Sequence, residues 1–200
     1  MNQACPLVYL VRHGETQWSI TGQHTGLCDI PMTANGEREA ELLRDRLKRI
    51  SFDRILTSPL QRAMRTCELA GFGQVAYADQ DLTEWHYGDY EGKTSAQIHE
   101  QRPDWNLFRD GCPDGESVAE ISARADRIVS QLSSVSGTAL VFSHSHFLRV
   151  LTARWLKLEA TAARCFFLNT ASVSVLGYEH GREDPVIRLW NDRRHHGVVM

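Results

Sequence analysis

Apolar residues follow two rhythms along this chain. The runs 6–11 and 138–142 are almost wholly apolar and read as strands buried on both faces. Residues 53–57 and 75–78 read as two further strands. Between them the spacing becomes helical. Thr33 is placed to cap a helix whose inner face is Ala40, Leu43, Leu47 and Ile50. Ser58-Pro59 reads as a cap followed by proline at the first helical position, with Leu60, Met64 and Cys67 facing the core and Gly71 closing the helix. Residues 93–101 form a short helix with Thr94 as its cap. Ser117 and Glu120 make a capping box ahead of a stripe through Val118, Ile121, Ala125, Ile128, Val129 and Leu132. Residues 147–158 are helical, and 166–168, 172–178 and 186–190 read as late strands, the last two joined by a hairpin-like stretch at 179–184. Residues 18–32 and 103–115 carry neither rhythm and read as a loop and an irregular segment.

Strands that alternate with helices predict an α/β fold, a three-layer α/β/α sandwich over a mostly parallel sheet. Two hundred residues suit one domain, 1–200, with a small lid drawn from 85–116. The charge narrows the class of partner. Lys and Arg number 22 against 25 Asp and Glu, a net charge of −3, so there is no electrostatic footing for nucleic acid or a membrane surface. No apolar run reaches the length of a membrane span. The first six residues lack a charged leader pattern. Cys5, Cys28, Cys67, Cys112 and Cys165 are odd in number and scattered, which predicts neither zinc nor disulfides and points to a reducing cytoplasm. His195-His196 reads as part of a surface extension.

Candidate chemistry gathers at strand ends, where open α/β sheets bind ligands. The first strand runs into Arg12-His13-Gly14. Arginine presents a donor fork that fits phosphate, a neutral imidazole nitrogen can attack phosphorus, and glycine lets an anion approach the backbone. Taken alone, these three residues are equally a strand ending in polar groups. His144 follows the 138–142 strand as His13 follows the first. If the two strands are parallel neighbours, both histidines meet at one edge, where the second can donate to phosphate oxygens. Arg62 falls in the first turn of its helix, beside an N-terminus that favours anions. A lone helix arginine is usually solvated, but after Ser58-Pro59, and with Arg12-His13 in the same chain, it reads as a second phosphate-holding arginine. Arg65 reads as a surface charge. Thr25-Gly26 by itself is a plain turn, though its hydroxyl and N–H are groups that donate to a phosphate oxygen.

Three carboxylates, Glu84, Asp89 and Glu91, compete for the role of general acid. Trp85 and Tyr87 can desolvate Glu84 and favour its protonated form. Glu91, just before Gly92, reads as a cap or brace for the next helix. Trp105 and Phe108 in the irregular segment fit a lid or ordinary core. Asn169-Thr170-Ala171-Ser172 are candidates to reach the substrate. His144 and His146 lack a third metal ligand, and Ser143 and Ser145 lack the setting of a hydrolase nucleophile elbow.

Arg12-His13-Gly14-Glu15-Thr16 resembles the signature of the histidine phosphatase superfamily, the phosphoglycerate mutase-like family. The resemblance continues in order through Thr57-Ser58-Pro59-Leu60-Gln61-Arg62-Ala63, Leu82-Thr83-Glu84, Gly88-Asp89-Tyr90-Glu91-Gly92, Gly115-Glu116-Ser117 and Val141-Phe142-Ser143-His144. It implies His13 as nucleophile, Glu84 as proton donor, and Arg12, Arg62 and His144 around the phosphoryl group. It also assigns Thr25 and Gly26 to the phosphate pocket, with no cofactor and no metal. Ser19, a shorter side chain that can still bond phosphate from further away, stands where many members have asparagine, and Ser145 stands where glycine is usual, leaving the Ser145 N–H available. The implied activity is a metal-independent phosphomonoesterase working through a phosphohistidine on a small phosphorylated metabolite. Only 30 residues separate Glu84 from Gly115, and the arginine- and proline-rich insertion of the cofactor-dependent mutases is missing. Hydrolysis is therefore preferred over mutase chemistry. Trp18-Ser19, Gln23-His24-Thr25-Gly26, the 84–92 stretch, Arg109-Asp110-Gly111-Cys112 and Ser145-His146 look most like the branch of sedoheptulose-1,7-bisphosphatase-like enzymes and broad acid phosphatases, which implies a sugar phosphate. Mutase activity and a non-catalytic phosphate-binding protein are the alternatives, and a homodimer stays open.

Overall fold

A computed structural model describes residues 5–197. The reading of the N-terminal stretch as lacking a leader falls largely on residues 1–4, outside the described residues. The strands are β1 (Leu7–Arg12), β2 (Arg54–Thr57), β3 (Tyr77–Ala78), β4 (Thr138–Ser143), β5 (Val173–Tyr178) and β6 (Pro185–Asp192). They form one six-stranded sheet in the order β3-β2-β4-β1-β5-β6. β1, β4, β2 and β3 run parallel, and β5 and β6 add an antiparallel edge. The mostly parallel sandwich is the predicted fold class.

Side-chain alternation along the central strands separates two cores. Val8 and Leu10 of β1, with Ala139 and Val141 of β4, face one layer, which holds α6 (Val118–Ser133) and α7 (Ser145–Trp155). Val11, Leu140 and Phe142 face the other, against α2 (Ala34–Leu47) and α3 (Gln61–Leu69). The buried stripe of α6 is Ile121, Ala125, Ile128 and Leu132, and Ser117 and Glu120 form its capping box. Thr33 caps α2, and Thr94 caps α4 (Ser95–Gln101). Among the described residues no helix is long and apolar enough to cross a membrane.

Several local readings need correction. Residues 18–32 are not all loop: α1 (Gln17–Thr21) forms because Thr16 and Ser19 cap each other reciprocally. Ser58 does not cap α3, whose N-cap is Leu60. The Ser58 hydroxyl is drawn to His144 Nε2 at 2.7 Å, and Asp29 Oδ1 accepts the Gln61 N–H at 2.8 Å in its place. The core face of α3 is Ala63, Thr66, Cys67 and Leu69, which leaves Met64 39% exposed. The 103–115 stretch contains α5 (Leu107–Asp110), started by the Asn106 side chain. Residues 166–168 form no strand. The Phe167 carbonyl accepts from Trp190 Nε1 and the Leu168 carbonyl from Arg12, so side chains take the place of a ladder. His195-His196 is not a free extension. The two rings are half-buried in a 3-10 turn (Arg194–His196), with His195 Nε2 bonded to the Ala171 carbonyl at 2.9 Å.

Candidate active site

β1 and β4 pair in register, Arg12 opposite Ser143, so His13 and His144 leave the sheet side by side with ring centres 5.2 Å apart. A cleft of about 240 Å³ opens here. Its lining includes Arg12, His13, Ser19, Thr25, Glu84 and Ser145 from the candidates, and Trp18, Gln23, His24, Tyr87, Ser95 and His146 besides. Arg62, His144 and Gly26 lie behind that surface.

His13 is held in one orientation. Its Nδ1 lies 2.7 Å from the Gly14 carbonyl, and a carbonyl only accepts, so Nδ1 carries the proton and Nε2 keeps its lone pair. Burial, then the charges of Arg62 and Arg12, push its pKa well below the usual histidine value, which keeps the ring neutral. The main chain around it is braced on two sides. Ala171 N–H donates to the His13 carbonyl at 3.0 Å, and Ser172 accepts the Arg12 N–H. Asn169 to Ser172 therefore support the β1 end from behind and do not line the cleft. Gly14 also has a structural reason. Its N–H donates to Thr66 Oγ1, and a Cβ there would sit 2.3 Å from the Gly36 carbonyl at the start of α2. The glycine is required for packing, not for the close approach of an anion.

Arg62 is wholly buried and acts as a hub. Its NH2 donates to the carbonyls of Thr25 and Gly26 at 3.2 and 2.8 Å, and NH1 to that of Cys28 at 3.0 Å. Its Nε donates to His144 Nδ1 at 3.1 Å, so His144 Nε2 carries the proton and donates to Ser58. His144 is neutral for the same reasons as His13, burial first and Arg62 next. Arg12 donates to the Leu168 carbonyl through NH1, and its buried Nε has no partner among the described residues. Burial lowers its pKa to about 10, so it stays charged.

Glu84 is buried, with Oε1 accepting the N–H groups of Trp85 and Phe147 at 2.9 and 2.8 Å and Oε2 that of His146 at 3.0 Å. Burial raises its pKa, and these three donors oppose the shift. Oε2 has the fewer donors and is the oxygen free to carry a proton. The preceding loop is fixed by Arg124, which donates to the carbonyls of Asp81, Thr83 and Glu84 and pairs with Glu116 at 2.7 Å. Glu116 thus has a task beyond the helix start that explains its stretch of sequence. Two expectations change here. Gly26 gives its N–H to Glu91 Oε1 at 2.7 Å, which leaves that donor committed. Glu91 accordingly braces the 26–28 loop and not the next helix, and Cys28 N–H reaches the same oxygen at 3.2 Å.

Sequence reasoning missed the far wall of the cleft. Tyr87 Oη meets His146 Nδ1 at 2.5 Å, His24 stacks against Tyr87 at 4.8 Å, and Ser95 Oγ lies 3.3 Å from His24 Nε2. Burial drives the His24 pKa down to about 4 and that of His146 well below the usual value, so both rings are neutral near pH 7. Trp105 and Phe108 pack under this wall, against His24 and His146. His146 faces the cleft because residue 145 begins α7, and the helical turn brings its ring to the same side as the site. Among the described residues no group of three or more His, Cys, Asp or Glu is arranged to hold a metal.

Comparison with known proteins places almost the whole chain in one family. The family described as the histidine phosphatase superfamily (branch 1) matches residues 8–193. An acid phosphatase of Mycobacterium tuberculosis is 42% identical over 176 residues, 86% of each chain. A sedoheptulose 1,7-bisphosphatase of Saccharomyces cerevisiae is 31% identical, with 94% of each chain covered. A solved structure from Mycobacterium tuberculosis superimposes with a TM-score of 0.87 at 38% identity, covering 92% of this chain and 96% of that one.

Proposed function

This chain belongs to the histidine phosphatase superfamily, and we propose that it hydrolyses phosphate monoesters of small polyhydroxylated metabolites, sugar phosphates foremost, through a phosphohistidine at His13. The observation that carries the reading is the pairing of His13 Nδ1–H with the Gly14 carbonyl, which leaves a neutral Nε2 in a cleft shared with Glu84. In the first step the Nε2 lone pair attacks phosphorus and the ester P–O bond breaks. Glu84 passes its proton to the leaving oxygen. In the second, ionised Glu84 takes a proton from water as that water attacks phosphorus. The P–N bond breaks, the electron pair returns to Nε2, and inorganic phosphate leaves.

The phosphoryl charge is met by Arg12, which lines the cleft, and by Arg62 from behind the 25–28 loop. Thr25 and the N–H of Ser145 add hydrogen-bonding capacity at the lining, whereas the hydroxyl and N–H of Ser19 are both spent on Thr16, so Ser19 shapes the wall without a free donor. His144 contributes through its contact with Arg62. The far wall offers neutral hydrogen-bonding groups on aromatic faces, from Gln23, His24, Tyr87, Ser95 and His146. Such a surface suits hydroxyls more than a second anion. The 85–116 segment supplies Tyr87 and Ser95 to it and serves as the lid of the single domain. The unpaired cysteines support a reducing, cytoplasmic setting.

The test is phosphate release from sugar monophosphates, sugar bisphosphates and phosphoglycerates with a chelator present. Release that survives chelation and is greatest with sugar phosphates is the expected result. Interconversion of phosphoglycerates with little free phosphate would establish a mutase, and inactivity across the panel would leave a phosphate-binding protein.

A further inference from the structure

The loop that Arg62 grips is gripped from its other side by a carboxylate. Glu91 Oε1 accepts from the N–H of Gly26 at 2.7 Å and of Cys28 at 3.2 Å. The carbonyls of the same two residues accept from Arg62 at 2.8 and 3.0 Å. The loop is therefore held between an anion on its N–H groups and a cation on its carbonyls, which orients both peptide dipoles. Among the described residues, the one carboxylate within 4.0 Å of Arg62 is that of half-exposed Asp29, at that limit. The backbone beside Glu91 is pinned to the same loop: Gly92 N–H donates to the His24 carbonyl, His24 N–H to the Lys93 carbonyl, and Gln23 Nε2 to the Gly92 carbonyl. Gly26 is packed too closely for any side chain. A Cβ there would meet Glu91 Oε2 at 2.5 Å, the Trp85 carbonyl at 2.6 Å and the Tyr87 ring at 2.8 Å.

We propose that Glu91 is a positioning residue of the phosphate clamp, acting through the 26–28 loop to set Arg62 and, through Arg62 Nε, His144. The inference rests on the reading of Arg62 as a phosphate-holding group. Glu91 touches no reacting atom in this scheme. It keeps two carbonyls pointed at the guanidinium, so that Arg62 holds its charge behind the loop, directed at the phosphoryl site. Loss of Glu91 frees the loop peptides to rotate, and Arg62 follows its carbonyl partners.

The experiment measures kcat, KM for a phosphate monoester and the inhibition constant of inorganic phosphate in Glu91→Ala, Glu91→Asp, Glu91→Gln and Arg62→Gln. Glu91→Ala removes both acceptor contacts, and we expect phosphate inhibition and KM to weaken about tenfold, with kcat changed less. Glu91→Asp keeps the charge but falls one methylene short and should weaken them in the same direction, which serves should the alanine variant not fold. Glu91→Gln retains an acceptor oxygen at the same reach and should restore phosphate inhibition to within about threefold of the parent. Unchanged phosphate inhibition in folded Glu91→Ala or Glu91→Asp, beside a weakened Arg62→Gln, overturns the proposal. A uniform loss of kcat with phosphate inhibition intact also overturns it. Unaltered inhibition in Arg62→Gln refutes the underlying assignment of Arg62 and is recognised separately.

Discussion

The ends of β1 and β4 are alike in sequence and unlike in chemistry. Each strand is apolar, each passes into a histidine, and the parallel register sets the two rings 5.2 Å apart. His13 has one nitrogen tied to a carbonyl and the other open to the cleft. His144 has both nitrogens engaged, by Arg62 and Ser58, and no exposed surface. The same side chain at the same station is thus available for attack in one case and a link in a buried network in the other. Partners decide this, and they come from α3 and its preceding turn, far away in sequence. The two carboxylates of the 84–91 stretch divide in a similar way. Glu84 enters the cleft with a raised pKa, whereas Glu91 is spent on two loop amides.

Removing His13 is the severest way to break the comparison. His13→Ala should lower kcat by on the order of 10⁴-fold or more, because the covalent step is lost, while inorganic phosphate still protects against thermal unfolding. Turnover near the parent level in a steady-state assay would transfer the nucleophile elsewhere. Glu84→Gln comes next. Loss of the proton donor should cost about 10² to 10³ in kcat on sugar phosphates and much less on an ester with a good leaving group. The pH profile sharpens the same point. His13 must be neutral and its pKa is lowered, so kcat/KM rises as pH climbs through that value. Glu84 must be protonated and its pKa is raised, so kcat/KM falls as pH climbs past it. The expected profile is a bell centred on the acid side of neutrality, and Glu84→Gln should lack its alkaline limb. Ser58→Ala is the mildest intervention. It leaves the Nε2–H of His144 without its acceptor, at a cost of about fivefold in kcat/KM from one lost hydrogen bond. No change at all would mean that Ser58 does not hold His144 in solution.

Much of the fold is legible in residue order. Thr33, Thr94 and Ser117 cap the helices they precede, since a cap requires only a hydroxyl and an N–H two or three residues later. Ser58 follows that local rule only weakly: its Oγ accepts the Leu60 N–H at 3.3 Å without capping α3, and its short contact, 2.7 Å, is with His144, a partner in the fold but not in the sequence. The end of β1 behaves likewise. Gly14 suggests an anion approach until the α2 backbone is seen against it. Glu91 suggests a brace to the adjacent helix until the 26–28 loop supplies two N–H groups. The His24, Tyr87 and His146 wall has no signal of its own, because its members come from three separate segments and none carries a charge.

What the residues alone determine are the elements, their layers and the strand-end places where Arg12, His13 and His144 stand. Those follow from hydrophobic period and backbone hydrogen bonding, which act over a few residues. The tertiary structure decides which nitrogen of each histidine is free, which carboxylate faces the cleft, and which glycine is there for packing. These depend on desolvation and on hydrogen-bond partners brought from distant parts of the chain, and such forces exist only once the chain has folded around them.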